Sequence, residues 1–197
     1  MTKKDVKDLY LRYLDYATIK GQALPERITL DFVDKFEHLI NGAVQYIASI
    51  LKLTGEMIID QSSGAGDKRG DYYSYDLPQS YKKPCSLIDC KTGKRLPGDY
   101  FYVSGKKIYI SDRLSGDFEL VYYRYPTRIL PKGAETTVID LPDNAAHLAA
   151  LKCAADAVVA ENSALAAYYT GLFNSQMQNI LDNGYDNAAN IDTVYAG

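Results

Sequence analysis

The hydrophobic pattern changes period twice along the chain. Val6, Leu9, Tyr10, Tyr13, Leu14 and Ala17 recur at steps of three and four, which predicts a first helix with Thr2 as its N-cap and a break at Gly21 and Pro25. A wider stripe of Phe32, Val33, Phe36, Leu39, Ile40, Ala43, Val44, Ile47, Ile50 and Leu51 predicts a second helix. Thr29 is its expected cap, Asp31 lies in its first turn, and Gly55 is its expected end. From Gly55 to about Asp140 the period shortens to two and turn residues multiply. Met57 to Asp60 and Asp71 to Tyr75 are expected as two strands joined by QSSGAGDKRG, and Tyr100 to Val103 and Lys107 to Ile110 as another pair around Gly105. Ser115 and Gly116 turn the chain into a last strand, Phe118 to Tyr125. Pro126 must stop it, because proline has no donor for the ladder.

The helical period then returns in LPDNAAHLAALKCAADAVVAEN. Pro142 suits a first helical position, Asp143 suits the positive helix end, and the many alanines let another helix approach closely. Ser163 is the expected cap of a final helix carrying Leu165, Tyr168, Tyr169, Leu172, Phe173, Met177, Ile180 and Leu181, stopped at Asn183-Gly184. Residues 185–197 have few aliphatics and no period, and read as a tail that orders only against something else. The fold class is α+β: a helical bundle of two N-terminal and two C-terminal helices interrupted by a small antiparallel β-sheet. Its parts are an N-terminal helical pair (1–54), a sheet insertion (55–140), a C-terminal helical pair (141–184) and an extended tail (185–197), expected as one structural unit overall.

Composition narrows the function more than it narrows the fold. A formal charge of −3 with a pI near 5.4 argues against a general nucleic-acid binder, whose footprint is a basic excess. Three cysteines make an odd count, which disfavours a disulfide framework and suits a reducing compartment. MTKKDVKDLY is not followed by an apolar run, so no signal peptide is expected, and no apolar stretch has the length of a membrane span.

Candidate chemistry is sparse. His38 and His147 have no metal ligand at suitable spacing on their helices, and read as structural or surface residues. Cys85 and Cys90 lack the second pair a zinc ribbon needs, and Cys153 among alanines reads as a small buried residue. Gly64-Ala65-Gly66 does not match the spacing of a phosphate-binding loop, so QSSGAGDKRG reads as a hairpin tip with Asp67, Lys68 and Arg69 solvated or touching a partner. Asp31, Asp34 and Glu37 stand three residues apart, a spacing that can hold a general acid and base. A solvated face near the positive helix end is the preferred reading. In YYRYP, Tyr122, Tyr123, Arg124 and Tyr125 have the residue types of a base-stacking sheet, but neighbours in a strand point to opposite faces and cannot make one platform. No catalytic, cofactor or metal site is expected.

The order of these phrases resembles the head–tail connector, or adaptor, proteins of long-tailed bacteriophages. In that family a strand closes with a tyrosine-rich phrase before proline, here Tyr122 to Pro126. An acidic L-P segment follows (Asp140 to Pro142), then a small-residue helix (Ala145 to Ala160) and a helix ending in a glutamine-rich stretch (Gln176 to Leu181). The loop from Gln61 to Gly70 and the segment from Leu77 to Gly98 are longer and more irregular than a minimal member needs. The resemblance implies a structural protein without catalytic activity or cofactor, forming a ring, typically of twelve copies, below the portal protein. Such a ring extends the DNA channel without sequence-specific binding and offers a surface to the next neck or tail protein. It implies a place in the virion neck, assembly in the host cytoplasm and no membrane partner. Partner contacts are then expected at Asp67, Lys68 and Arg69, and in the tail at Tyr185, Ile191 and Tyr195; stretched fully, the tail spans roughly 40 Å. Two alternatives stand beside this reading: a nucleic-acid-binding module using Tyr123, Arg124 and Arg128, and an enzyme with carboxylate chemistry at Asp31, Asp34 and Glu37.

Overall fold

The computed structural model describes residues 1–18, 26–62 and 66–183. Its described residues fall into two compact units, one of Met1–Leu51 with 126–183, the other of Lys52–Tyr125. Helices at both ends of the chain with antiparallel sheets between them make the α+β plan that the hydrophobic pattern predicts.

The helical unit contains α1 (Lys3–Thr18), α2 (Glu26–Leu51), α3 (Asp143–Ala146), α4 (Leu148–Val158) and α5 (Ser163–Asp182). Thr2 caps α1 as predicted, in a reciprocal box: the Asp5 N–H donates to Thr2 Oγ1 at 3.2 Å and the Thr2 N–H donates to Asp5 Oδ2 at 2.8 Å. That N–H holds the Asp5 carboxyl below its usual range. Helix α2 starts at Glu26, a turn before the expected Thr29 cap, since Glu26 and Arg27 are good helix formers and a first turn needs no apolar residue. It also ends before Gly55: Lys52 has φ of 54°, the left-handed conformation that terminates helices and usually falls to glycine. Pro142 sits one position before α3, and α5 is capped by Asn162 rather than Ser163, with the Leu165 N–H donating to Asn162 Oδ1 at 3.0 Å.

Helix α4 organises this unit. Leu148, Ala149, Ala150, Leu151, Cys153, Ala154, Ala155, Ala157 and Val158 are all buried, so the helix has almost no outward face. A helix apolar nearly all round belongs in a core, and its alanines let α1, α2 and α5 pack against it together. Val6, Tyr10 and Leu14 of α1, Phe36, Ile40 and Ile47 of α2, and Phe173 and Met177 of α5 are buried around it.

The second unit holds β1 (Thr54–Asp60), β2 (Asp67–Arg69), β3 (Tyr72–Asp76), β4 (Tyr81–Asp89), β5 (Phe101–Ser104), β6 (Lys107–Ser111) and β7 (Asp117–Arg124). They form two antiparallel sheets, ordered β1-β7-β4 and β2-β3-β6-β5. Ile59, Leu87, Phe118, Leu120 and Tyr122 of the first sheet meet Ile108 and Ile110 of the second in one buried cluster. The expected β5–β6 hairpin is present. The expected hairpin joining β1 to β3 is not: β1 pairs with β7, from Thr54 opposite Tyr123 to Asp60 opposite Asp117. Gln61, read from the sequence as the start of a loop, is buried, and its Nε2 donates to the carbonyls of Ser111 (2.9 Å) and Leu114 (2.7 Å). This clasp directs β1 towards the turn that feeds β7. The irregular segment after Leu77 contains the nine-residue β4, whose alternation is broken by register shifts between Tyr81 and Lys83 and between Pro84 and Ser86.

Gly55 is required by this pairing. It lies opposite Tyr122, whose buried ring also packs on Tyr81 at 5.6 Å between centroids, and a Cβ at Gly55 would come within 2.9 Å of that ring. Gly55→Ala is therefore expected to destabilise the protein by about 1–3 kcal/mol, as overpacking does. Urea denaturation followed by tyrosine fluorescence measures it, and Gly55→Ala combined with Tyr122→Leu should lose less than the sum of the two single changes.

Candidate interaction surfaces

The three carboxylates singled out in α2 do not share a site. Asp31 and Asp34 are exposed, whereas Glu37 is buried, correcting the expectation of one solvated face. The reason is Lys3, fully buried, whose Nζ donates to Glu37 Oε2 at 2.7 Å and to the Gly133 carbonyl at 3.3 Å. The Lys132 N–H donates to the same carboxylate oxygen at 2.8 Å. Burial pushes the Glu37 carboxyl up, but the hydrogen bonds from Lys3 and Lys132 and the nearby charges outweigh it and hold the group below its ordinary range. Glu37 is thus an ionised structural anchor, the reverse of a proton donor with a raised pKa.

The remaining chemical candidates are also dispersed. His38 is exposed, and the His147 ring nitrogen Nε2 is 3.1 Å from Gln176 Oε1. Cys85 is half-buried, Cys90 exposed and Cys153 buried, where burial pushes its thiol up. Among the described residues no three His, Cys, Asp or Glu side chains gather where a metal could bind.

Asp67, Lys68 and Arg69 do not form a hairpin tip. They make β2, the edge strand of the second sheet, opposite Ser74, Tyr73 and Tyr72 respectively. Lys68 Nζ lies 3.1 Å from Asp112 Oδ2 and 5.6 Å from the centre of the Tyr73 ring, and Asp67 Oδ2 accepts from Lys107 Nζ at 3.3 Å. Tyr185, Ile191 and Tyr195 lie outside the described residues.

The tyrosines of β7 separate as strand geometry requires. Tyr122 is buried in the sheet cluster, and Tyr123 is on the other face, beneath Lys83. Arg124 Nε donates to the Thr54 carbonyl at 3.0 Å, and Arg128 is exposed in the other unit. A tyrosine face does exist, but on the second sheet, where sequence reasoning did not place it. Tyr102 stacks on Tyr109 at 4.7 Å and 4°, and Tyr72 meets Tyr102 edge-on at 5.1 Å. The signal was present in the shared phase of YYSYD, FYVS and KIYIS, but it becomes readable only once the β3-β6-β5 register is known. The helical unit carries a separate apolar groove lined by Leu9, Arg12, Tyr13, Leu165, Tyr168 and Leu172, in which Tyr168 is 61% exposed. No described helix is long and apolar enough to cross a membrane.

Compared with known proteins, residues 1–194 match the family model described as SU10 adaptor protein. No curated protein matches the chain significantly.

Replacing Glu37 with leucine strands the Lys3 ammonium in the core and is expected to cost about 3–5 kcal/mol, whereas Lys3→Met with Glu37→Leu should recover most of that loss. Because the folded carboxyl is depressed, its stabilisation is fully present above the unfolded glutamate's pKa and is lost as pH falls through the lower folded value. Urea titrations of wild type and variants at neutral and acid pH read both effects, and the wild type should lose more stability on acidification than the double variant.

Proposed function

The chain belongs to the SU10 adaptor protein family, as its resemblance to phage head–tail adaptors implies, and we propose that it works as a ring beneath the portal. In this reading about a dozen copies close head-to-tail, extend the DNA channel, and offer their far side to the next neck or tail protein. The observation that carries it is the family match over nearly the whole chain. The site belongs in the virion neck, with assembly before that in the host cytoplasm.

The surfaces support such a role. A head-to-tail ring needs two unlike patches on each copy. The apolar groove between α1 and α5 and the tyrosine face of the second sheet differ in chemistry in that way. Tyrosine is enriched at protein interfaces, and this chain has 18 of them and no tryptophan. We assign the edge strand β2 to a partner contact through Arg69 and its open backbone edge, with Asp67 and Lys68 already engaged within the sheet. The tail, with Tyr185, Ile191 and Tyr195, is assigned to the portal contact.

Mixing the purified protein with the portal of the same virus and imaging by negative-stain electron microscopy tests the proposal. A ring stacked on the portal is expected, and a portal that stays bare at high protein excess would refute it. Deleting residues 185–197 should leave a folded protein, read as a cooperative urea transition, and weaken stacking; unchanged stacking would remove the tail from the interface.

A further inference from the structure

One end of the first sheet gathers cations around two tyrosine rings. Lys83 Nζ lies 4.9 Å from the centre of the Tyr123 ring, and Lys82 Nζ lies 5.5 Å from that of Tyr125. Consecutive residues of a regular strand point to opposite faces, but Tyr125 lies one residue beyond the end of β7, so alternation does not set its side. The register shift of β4 between Tyr81 and Lys83 likewise frees Lys82 from strict alternation, and each lysine is placed by the ring it covers. Arg124 lies between the two tyrosines in sequence, its guanidinium held by the Thr54 carbonyl at 3.0 Å, and exposed Lys52 precedes β1 by two residues. Lysines elsewhere, such as Lys35, Lys68, Lys107 and Lys152, are matched to carboxylates. Lys82 and Lys83 are exposed and form no ion pair among the described residues.

We propose that this end of the sheet, centred on Lys82 and Lys83, contacts the phosphate backbone of duplex DNA, resting on the reading of the chain as part of a DNA-conducting neck. The arrangement favours phosphates over bases. The rings of Tyr123 and Tyr125 already hold ammonium groups through their quadrupoles, so they orient cations and are not open platforms for base stacking. It also favours DNA over a protein partner, because a protein contact wants an apolar centre and the centre of this patch is charge. So few phosphate contacts give weak, sequence-independent, salt-sensitive binding, which lets a duplex slide past.

The test is fluorescence anisotropy of a labelled short duplex titrated with the full chain at about 50 and about 200 mM salt. The expected result is binding at the lower salt that weakens at the higher. Lys82→Ala with Lys83→Ala should lower the log–log salt slope by about 2, equally for unrelated sequences, and Lys82→Arg with Lys83→Arg should keep it. Absence of wild-type binding at low salt overturns the proposal, as does an alanine double variant that binds like wild type. Polyglutamate competing as well as duplex at equal charge overturns it in favour of an acidic protein, and a preference for single strands lost in Tyr123→Leu overturns it in favour of base stacking. If the double variant self-associates by light scattering while DNA binding is unchanged, the lysines only guard a sheet edge and the proposal fails. Imaging the same double variant with the portal separates the two readings: stacking kept with DNA binding lost upholds the DNA contact without touching the adaptor assignment.

Discussion

The fold depends on β1 pairing with β7. The helical core is built from two stretches of chain, before Lys52 and after Tyr125, and everything between them belongs to the other unit. A long excursion carries a closure cost that grows slowly with length, but it must be met before the second stretch can join the first. The first and last strands of the excursion meet it by hydrogen-bonding to one another along their whole length, ending with the Arg124 N–H donating to the Leu53 carbonyl at 2.9 Å. The two ends of the sheet unit are therefore held side by side, with Leu53 next to Arg124. Gly55 and Tyr122 are part of this closure, since the ring crosses the position where any larger residue would stand.

Once returned, the chain is tied to its own beginning. The Lys3 N–H donates to the Thr137 carbonyl at 2.7 Å and the Ile139 N–H to the Met1 carbonyl at 3.0 Å, so the N-terminal residues and the returning segment form a short ladder. Glu37 holds the same junction from the α2 side, accepting from Lys3 and from the Lys132 N–H. A buried ion pair gains little over well-packed apolar groups, but one that joins two distant stretches and a helix fixes their register as an apolar contact would not. One of the three carboxylates whose spacing could have held a general acid and base is thus spent on assembly of the fold.

Legibility followed locality. The apolar faces of α1, α2 and α5, the Thr2 cap and the β5–β6 hairpin rest on contacts between near neighbours, and each could be read from spacing. The β1–β7 pairing could not, because consecutive strands are usually neighbours and that prior joined Met57–Asp60 to Asp71–Tyr75. Strand β4 was hidden by its own irregularity: the two shifts around Lys83 and Pro84 erase the alternation that would reveal it. The surfaces inherit both failures. The tyrosine face of the second sheet needs a register to be seen, and the lysine pair needs a bulge. YYRYP was legible as a strand end and as a family phrase, yet its rings divide between a core and a solvent face.

The same residue type serves both sides of that division, and this suits an assembly part. Tyr10 is buried with its hydroxyl donating to the Phe32 carbonyl at 3.1 Å, and burial pushes that phenol far above its usual range. Tyr102, Tyr125 and Tyr168 stand about half exposed with the same chemistry turned outward. A subunit that must stay dispersed before assembly and adhere afterwards needs contact area that water tolerates. Tyrosine supplies a ring for a partner and a hydroxyl for solvent, at the entropic cost of only two side-chain torsions. An exposed tryptophan or leucine would give comparable area with less for water to bond. The absence of tryptophan and the abundance of tyrosine thus fit one constraint, that of an adaptor surface which must be tolerated by water and still offer area for contact.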